Sequence, residues 1–294
     1  MLYTNYMIVQ KFILTIVCMS LFGNTCSSTD KILIPTFAVV LQNINIEKLK
    51  SLRRDFLVID YSFDGSGDNE IPQEDIQKLK DSGKKVFAYL SIGEAEDYRF
   101  YWREEYNQKK PDWIVRENPE WKGNYTIRYW TPPWKEIVKE YMTRIQKAGF
   151  DGLFLDKVDA YDDFKPEDIP HIDPRTEMII LLYHIFRTNQ ELGANFQFIL
   201  NNGESIAIED QLVSDFSFAI LVESLYTDGD NQERTLEEYG PREKNLKALD
   251  KQKKWILLLE YVTSKDLQTK IKKKAKKNHF SIEYAKQDLS LPEN

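Results

Sequence analysis

The chain has 294 residues, of which 42% are hydrophobic, and its 12 glycines and 11 prolines exclude a fibrous or disordered protein. Its 40 lysines and arginines against 47 aspartates and glutamates give a net charge of -7. This balance argues against a phosphate backbone as a binding partner, so we expect no nucleic-acid partner.

The start of the chain is predicted to be an export signal. Lys11 is the single charge in the first 29 residues, and the apolar run 12–22 follows it. This run is too short to span a bilayer, which takes about 20 apolar residues. Cys26 lies where a bacterial lipoprotein carries its lipidated cysteine. We therefore predict a signal segment over 1–26 and a protein that is either secreted or a cell-surface lipoprotein, with a lipid anchor at Cys26 as its only membrane contact.

Eight short apolar or alternating runs follow, and helix-like segments separate most of them. They are residues 32–41, 56–61, 86–92, 152–156, 197–201, 216–222, 255–261 and 280–284. These runs are rich in Val, Ile, Phe and Leu and lack proline after Pro35, as buried parallel strands require. Eight β/α units predict a single-domain (β/α)8 TIM barrel over residues 27–294. An open doubly wound sheet fits less well, because no G-x-G-x-x-G opens a helix.

The connecting segments carry signals for helix starts and ends. Pro132 begins a predicted helix that Gly149 ends, and Asp173 begins another that Gly193 ends. A later helix has a lysine-rich end at 270–277. In an acidic protein we expect this end to be a solvated basic face and not a nucleic-acid site.

Acidic residues end several of the predicted strands, where a barrel carries its functional groups. Asp60, Asp156, Glu223 and Glu260 each end an apolar run, and the strand direction aims them at a common centre. Paired carboxylates are what glycoside hydrolysis requires, with one acid protonating the leaving oxygen and the other acting as nucleophile or base. The three histidines lack metal-ligand spacing, so we expect no metal and no cofactor.

Aromatic residues are concentrated between Tyr98 and Trp134, where 37 residues hold 11 aromatics, including five of the six tryptophans. Flat apolar side chains pack on sugar rings, so this long excursion after the third predicted strand predicts the wall of a sugar cleft. The alternative is a hydrophobic mini-core beneath a long loop. We expect Trp102 and Trp113 to contact sugar and Trp134 to pack in the core.

Four motifs resemble those of glycoside hydrolase family 114 and its relatives, the endo-alpha-1,4-polygalactosaminidases. They are AYLSIGEAEDYRFYW (88–102), GFDGLFLDKVDAY (149–161), LNNG (200–203) and VES (222–224). The resemblance covers nearly all of 32–284. It implies a secreted or surface-anchored barrel that hydrolyses alpha-linked polysaccharides, some of them containing galactosamine. The SIGEAE motif and the long aromatic excursion resemble a less characterised branch, which leaves the substrate open.

The resemblance implies that Asp156 and Glu223 are the catalytic pair. Together with the strand-end and aromatic patterns, it gives the predicted substrate-binding residues Asp60, Tyr61, Tyr89, Glu94, Trp102, Trp113, Asp159, Asn201 and Glu260. Glu223 follows apolar residues, which raise a carboxyl pKa, so we predict that it is the general acid. Asp156 is then the nucleophile or base.

Two other functions remain open at this point. One is a non-catalytic carbohydrate-binding barrel displayed on the cell surface. The other is a metal-assisted enzyme in which Asp156, Glu223 and Glu260 hold a divalent ion. Whether the protein is a glycoside hydrolase or a non-catalytic binding barrel, we expect it to be a monomer that binds a polysaccharide or oligosaccharide.

Overall fold

The computed structural model describes residues 34–169, 171–229 and 231–291, so the predicted signal segment and both cysteines lie outside the described residues. In chain order the described strands are β1 (Phe37–Val40), β2 (Phe56–Ile59), β3 (Lys85–Ser91), β4 (Glu94–Glu96), β5 (Ile114–Glu117), β6 (Asn124–Ile127), β7 (Gly152–Asp156), β8 (Gln197–Asn201), β9 (Ser217–Glu223), β10 (Trp255–Glu260) and β11 (Ser281–Tyr284). The described α-helices are α1 (Ile46–Ser51), α2 (Gln73–Asp81), α3 (Pro132–Ala148), α4 (Pro174–Leu192), α5 (Glu204–Glu209), α6 (Gln211–Phe216), α7 (Leu236–Lys251) and α8 (Lys265–Lys277).

Eight strands form one parallel sheet in the order β1, β2, β3, β7, β8, β9, β10, β11, with helices between them. The sheet curls into a nearly closed barrel, which confirms the predicted (β/α)8 fold. The first strand begins at Phe37, later than predicted, because Pro35 has no N–H to donate to a strand ladder. Within the described residues we find no helix with the length and hydropathy of a transmembrane span.

Side chains of the barrel strands alternate between the interior and the surrounding helices, because successive residues of a strand point to opposite faces. The interior cluster is formed by Phe37, Val39, Phe56, Val58, Phe87, Tyr89, Phe154, Ile199, Ala219, Leu221, Leu257 and Leu259. The residues between them pack against the helices in a second, larger cluster. Both faces are buried, which explains why the strands appear in the sequence as nearly continuous apolar runs.

Helix ends follow the predicted signals. The Asp173 side chain accepts a hydrogen bond from the backbone N–H of Arg175 at the start of α4. Gly149 and Gly193 end α3 and α4 with φ of 85° and 62°, the left-handed conformation that glycine adopts without steric cost.

The excursion between β3 and β7 contains a small antiparallel sheet that the sequence analysis did not predict. Its strand order is β4, β6, β5. These strands have three or four residues each and carry charged and polar side chains, so they show no apolar run. Short strands of this kind lack the hydrophobic pattern on which strand prediction depends.

No backbone ladder pairs β1 with β11, and the seam between them is closed by side chains together with two backbone hydrogen bonds to the carbonyl of Leu289 just beyond the strand ends. The Arg54 guanidinium donates from Nε to the carbonyl of Phe37 at 3.0 Å and from Nη2 to the carboxylate of Glu283 at 2.9 Å. The Ser281 hydroxyl donates to the carbonyl of Pro35 at 2.6 Å. Arg54 therefore joins the first and last strands of the barrel.

We predict that Arg54→Ala lowers the free energy of unfolding by about 1.5 to 3 kcal/mol, because it removes charge-assisted hydrogen bonds at the seam. Denaturant unfolding measures this change. Arg53→Ala is the matched control, since its side chain is exposed, and we expect a change within about 0.5 kcal/mol. Equal effects of the two substitutions would contradict this account of the seam.

Candidate active site

Two carboxylates share one amide donor at the end of the barrel where the strands terminate. Asp156 ends β7, Asn201 ends β8 and Glu223 ends β9. Nδ2 of Asn201 donates to Oδ1 of Asp156 at 2.6 Å and to Oε1 of Glu223 at 2.7 Å. Asn201 is 2% exposed, so this amide holds the two acids in a fixed mutual position.

Each carboxylate also accepts a hydrogen bond from a tyrosine. The Tyr89 hydroxyl, from β3, donates to Oδ2 of Asp156 at 2.8 Å. The Tyr261 hydroxyl, directly after β10, donates to Oε2 of Glu223 at 2.5 Å. Both oxygens of each acid therefore have a fixed donor. Tyr261 is a site residue that the sequence analysis did not identify.

Burial and the nearby charge of Asp156 raise the pKa of Glu223, while the hydrogen bonds from Tyr261 and Asn201 act in the opposite direction. The net direction is upward. Glu223 therefore keeps its proton to a higher pH than an ordinary glutamate.

Glu260 and Tyr61 do not reach the cleft, because strand alternation turns them toward the helices. The buried Glu260 carboxylate accepts from the backbone N–H of Tyr226 at 2.9 Å and from the Thr227 hydroxyl at 2.7 Å. Tyr61 is also buried, with its ring centroid 4.7 Å from that of Tyr141. Both residues are structural here, and the prediction that they bind substrate is corrected.

The metal-assisted alternative required Asp156, Glu223 and Glu260 to lie together. The structure does not bring Glu260 to the other two acids, because its carboxylate bonds to Tyr226 and Thr227. Across the part of the chain that the structure describes, no group of three or more His, Cys, Asp or Glu side chains is arranged to hold a metal ion. The donor set that the metal-assisted alternative required is therefore not brought together.

A buried ion cluster forms one wall of the cleft. Arg99 donates from Nε to Glu96 at 2.6 Å and from Nη1 to both oxygens of Asp60, at 2.9 and 2.7 Å. The Tyr98 hydroxyl donates to Glu96 at 2.6 Å, and the Tyr98 ring lies over the Arg99 guanidinium. Asp60 lines the cleft, but its carboxylate is already paired with Arg99.

A second group of charges lines the same cleft around Lys157, the residue that follows Asp156. The Lys157 ammonium is 2.7 Å from the Asp163 carboxylate and 3.7 Å from that of Glu94, which also accepts from Asn118. Burial raises the pKa of Asp159 to about 7, Lys157 opposes this shift and Asp156 adds to it. Asp159 therefore titrates close to neutral pH.

The cleft has a volume of about 940 Å³ and is predominantly acidic. The acids that line it are Asp60, Asp64, Glu94, Glu96, Glu120, Asp156, Asp159, Asp163, Glu223 and Asp288. The basic residues that line it are Arg99, Arg116, Lys122 and Lys157. This excess of acids favours a cationic ligand over an anionic one.

The excursion contributes both a packed interior and a wall of the cleft. Trp113 is 5% exposed and packs on Trp134, and Trp102 stacks on Tyr125 with centroids 4.6 Å apart. Neither Trp102 nor Trp113 lines the cleft, so the prediction that they contact sugar there is corrected in favour of packing. Trp121, in contrast, is 58% exposed and lies at the cleft edge.

A family model, described as glycoside-hydrolase family GH114, matches residues 27–293. An uncharacterized protein of Thermotoga maritima is 34% identical over 303 residues, which cover 96% of this chain and 92% of that protein. An uncharacterized protein of Methanocaldococcus jannaschii is 39% identical over 233 residues. That match covers 77% of this chain and 66% of the relative, so this chain spans just under two thirds of the archaeal protein.

Two solved structures are similar in fold. The glycoside hydrolase domain of PelA from Pseudomonas aeruginosa has a TM-score of 0.69 at 17% identity, with 87% of this chain and 96% of that chain covered. Aspergillus fumigatus Ega3, solved in complex with galactosamine, has a TM-score of 0.66 at 16% identity, with 91% and 98% covered. At these identities the similarity establishes the barrel fold.

We predict that Trp113→Ala lowers the free energy of unfolding by about 3 kcal/mol or more, because it empties a packed aromatic site. Trp121→Ala is the matched control from the same excursion. Its side chain is mostly exposed, so we expect a change within about 0.5 kcal/mol. Thermal and denaturant unfolding of both variants measure the difference, and a stable Trp113→Ala protein would contradict the packing assignment.

Proposed function

The chain belongs to glycoside hydrolase family GH114, and on this premise we propose that it hydrolyses alpha-linked, galactosamine-containing polysaccharide with Asp156 and Glu223 as the catalytic pair. The main support is the pair of carboxylates held by one amide group at the base of an open cleft. The two acids also have different surroundings. Such a difference lets one carboxyl act as an acid while the other acts as a nucleophile.

The spacing of the two acids supports a retaining mechanism. Oδ1 of Asp156 and Oε1 of Glu223 both accept from one nitrogen, so they are at most about 5.3 Å apart, the 2.6 and 2.7 Å bonds laid end to end. Retaining glycosidases have carboxyl separations of about 5 to 5.5 Å, whereas inverting enzymes need about 6.5 to 9.5 Å to admit a water.

In this mechanism the Asp156 carboxylate attacks the anomeric carbon and forms a covalent glycosyl ester. Glu223 donates its proton to the glycosidic oxygen as the bond to the leaving sugar breaks. Glu223, now ionised, accepts a proton from the water that attacks the ester, which frees the sugar and restores both groups. The raised pKa of Glu223 supports its role as the acid.

The acidic cleft supports an amino sugar as substrate. A galactosamine unit with a free amino group is a cation near neutral pH, and ten acids against four basic residues attract it. A bound ammonium group would favour the ionised form of Asp159, whose pKa of about 7 leaves it partly protonated in the free protein. The exposed Trp121 ring at the cleft edge offers an apolar face for a sugar ring.

We predict that Asp156→Asn and Glu223→Gln each reduce turnover of an alpha-1,4-linked galactosamine polymer about 1000-fold or more, since each removes one partner of the reaction. Reducing-end release measures turnover, and circular dichroism checks that the fold is intact. Asp81→Asn, at the far end of the barrel, is the control. Near-full activity of either active-site variant would remove that residue from the mechanism. Binding of oligosaccharide without any turnover by the unmodified protein would favour a non-catalytic barrel.

We predict that Tyr261→Phe moves the alkaline limb of the pH-activity profile to higher pH. The Tyr261 hydroxyl stabilises the ionised form of Glu223, so its loss raises the pKa of Glu223 further. The general acid must be protonated, so activity then persists to higher pH, with a lower maximum because Glu223 is less fixed. Tyr284→Phe, whose hydroxyl bonds to the carbonyl of Gln268, is the control. A shift to lower pH would contradict the assignment of Glu223 as the acid.

A further inference from the structure

Basic residues are concentrated at the base of the barrel, the end where strands begin and helices terminate, opposite the cleft. Four segments there, 48–55, 78–85, 247–254 and 272–279, hold 17 of the chain's 40 lysines and arginines but only 3 of its 47 aspartates and glutamates. The rest of the chain is left with 23 basic and 44 acidic residues. Six of the 17 pair with acids just outside these segments, and the others still leave this end of the barrel with an excess of positive charge.

The strand order brings these four segments together, and we call them the basic arc. They precede β10, β11, β2 and β3, and β11 lies beside β1 at the seam, so the segments are consecutive around the base. The other connections at this end of the barrel are 147–151, 191–197 and 211–217, and together they hold one lysine and three acidic residues. The positive charge thus covers one side of the base and not the whole ring.

Helix dipoles explain only part of this pattern. Basic residues in the last turn of a helix are stabilised by the partial negative charge there. However, α4 and α6 have no basic residue in the last turn, whereas the end of α8 has several. Lys272, Lys273 and Lys276 are exposed, and among the described residues none of them forms an ion pair.

The chain enters the barrel within the basic arc. The carbonyl of Pro35 accepts from the Ser281 hydroxyl, and the backbone N–H of Thr36 donates to the Asp55 carboxylate at 2.7 Å. The residues before Ile34 include the predicted lipidation site at Cys26, and the eight Cα-to-Cα steps from Cys26 to Ile34 can extend to about 29 Å at most. An attachment at Cys26 would therefore keep the basic arc close to a membrane.

We propose that the basic arc binds the anionic headgroups of a phospholipid membrane, with the cleft facing away from the lipid. Lysines close to a bilayer surface are attracted by its negative potential, and this attraction falls off within a Debye length. The arc has the matching charge, and it surrounds the point where the chain leads to the predicted anchor. Binding of this kind is independent of hydrolysis, so its test does not depend on the proposed catalytic function.

Cosedimentation of the full chain with vesicles of phosphatidylcholine alone, or with an equal share of phosphatidylglycerol, tests the proposal. Any contribution of the apolar segment 12–22 is common to both vesicles, so the ratio of the two partition coefficients reports on electrostatic attraction, which the lysine variants assign to the basic arc. We expect a preference of roughly 10-fold or more for the anionic vesicles, which salt removes.

A triple variant, Lys272→Gln with Lys273→Gln and Lys276→Gln, should lose most of this preference. The matched control replaces Lys109, Lys110 and Lys165 with Gln, three exposed lysines in connections at the cleft end. The control should keep the preference, and circular dichroism verifies that both variants fold. An unchanged preference in the first variant, an equal loss in the control, or tighter binding to a soluble anionic polysaccharide than to the vesicles would overturn the proposal.

Discussion

The alternation of side chains along eight parallel strands decides which polar residues meet in the cleft. Asp156, Asn201 and Glu223 continue the inward-facing series of β7, β8 and β9, and Tyr261 does the same for β10. One step along the chain reverses the direction, as Glu260 demonstrates: it is buried beneath the helices beside an inward tyrosine. The proposed catalytic residues therefore lie at the polar end of the same alternating pattern that fills the barrel with apolar side chains.

The buried ion cluster links the wall of the cleft to Asp156, one of the two proposed catalytic acids. Arg99 and its two carboxylates are buried, and removing one charge from such a group leaves the others without compensation. The Tyr89 hydroxyl, which holds Asp156, is also 3.4 Å from Glu96 of this cluster. Through Tyr89, the position of Asp156 thus depends on the ion pair that joins the end of β2 to the excursion, although Asp60 and Arg99 are far from Asp156 in the sequence.

The apolar runs predict the barrel because both faces of each strand are buried. The residues at the strand ends include Asp156, Asn201 and Glu223, which the structure brings together. Tyr61 and Glu260 were misassigned because a strand-end position does not specify the face, although alternation in the sequence does. The density of aromatic residues in the sequence could not distinguish the buried Trp113 from the exposed Trp121, since tryptophan serves both in core packing and at the edge of a cleft. Arg99 was not found because its partner Asp60 is 39 residues away in the chain. The small sheet of the excursion lacks any hydrophobic period.

The seam between β1 and β11 gives the barrel an uneven resistance to local opening. Elsewhere, neighbouring barrel strands are joined by ladders of backbone hydrogen bonds, whereas here the links are the side chains of Arg54 and Ser281 and two backbone bonds to the carbonyl of Leu289. Parting the two strands therefore breaks few backbone bonds, so amide hydrogens of β1 can exchange with solvent without global unfolding. The barrel therefore behaves as a curled sheet whose two edge strands are held together at the seam. Its slowest-exchanging amides should lie in β7 and β8, the strands farthest from the seam.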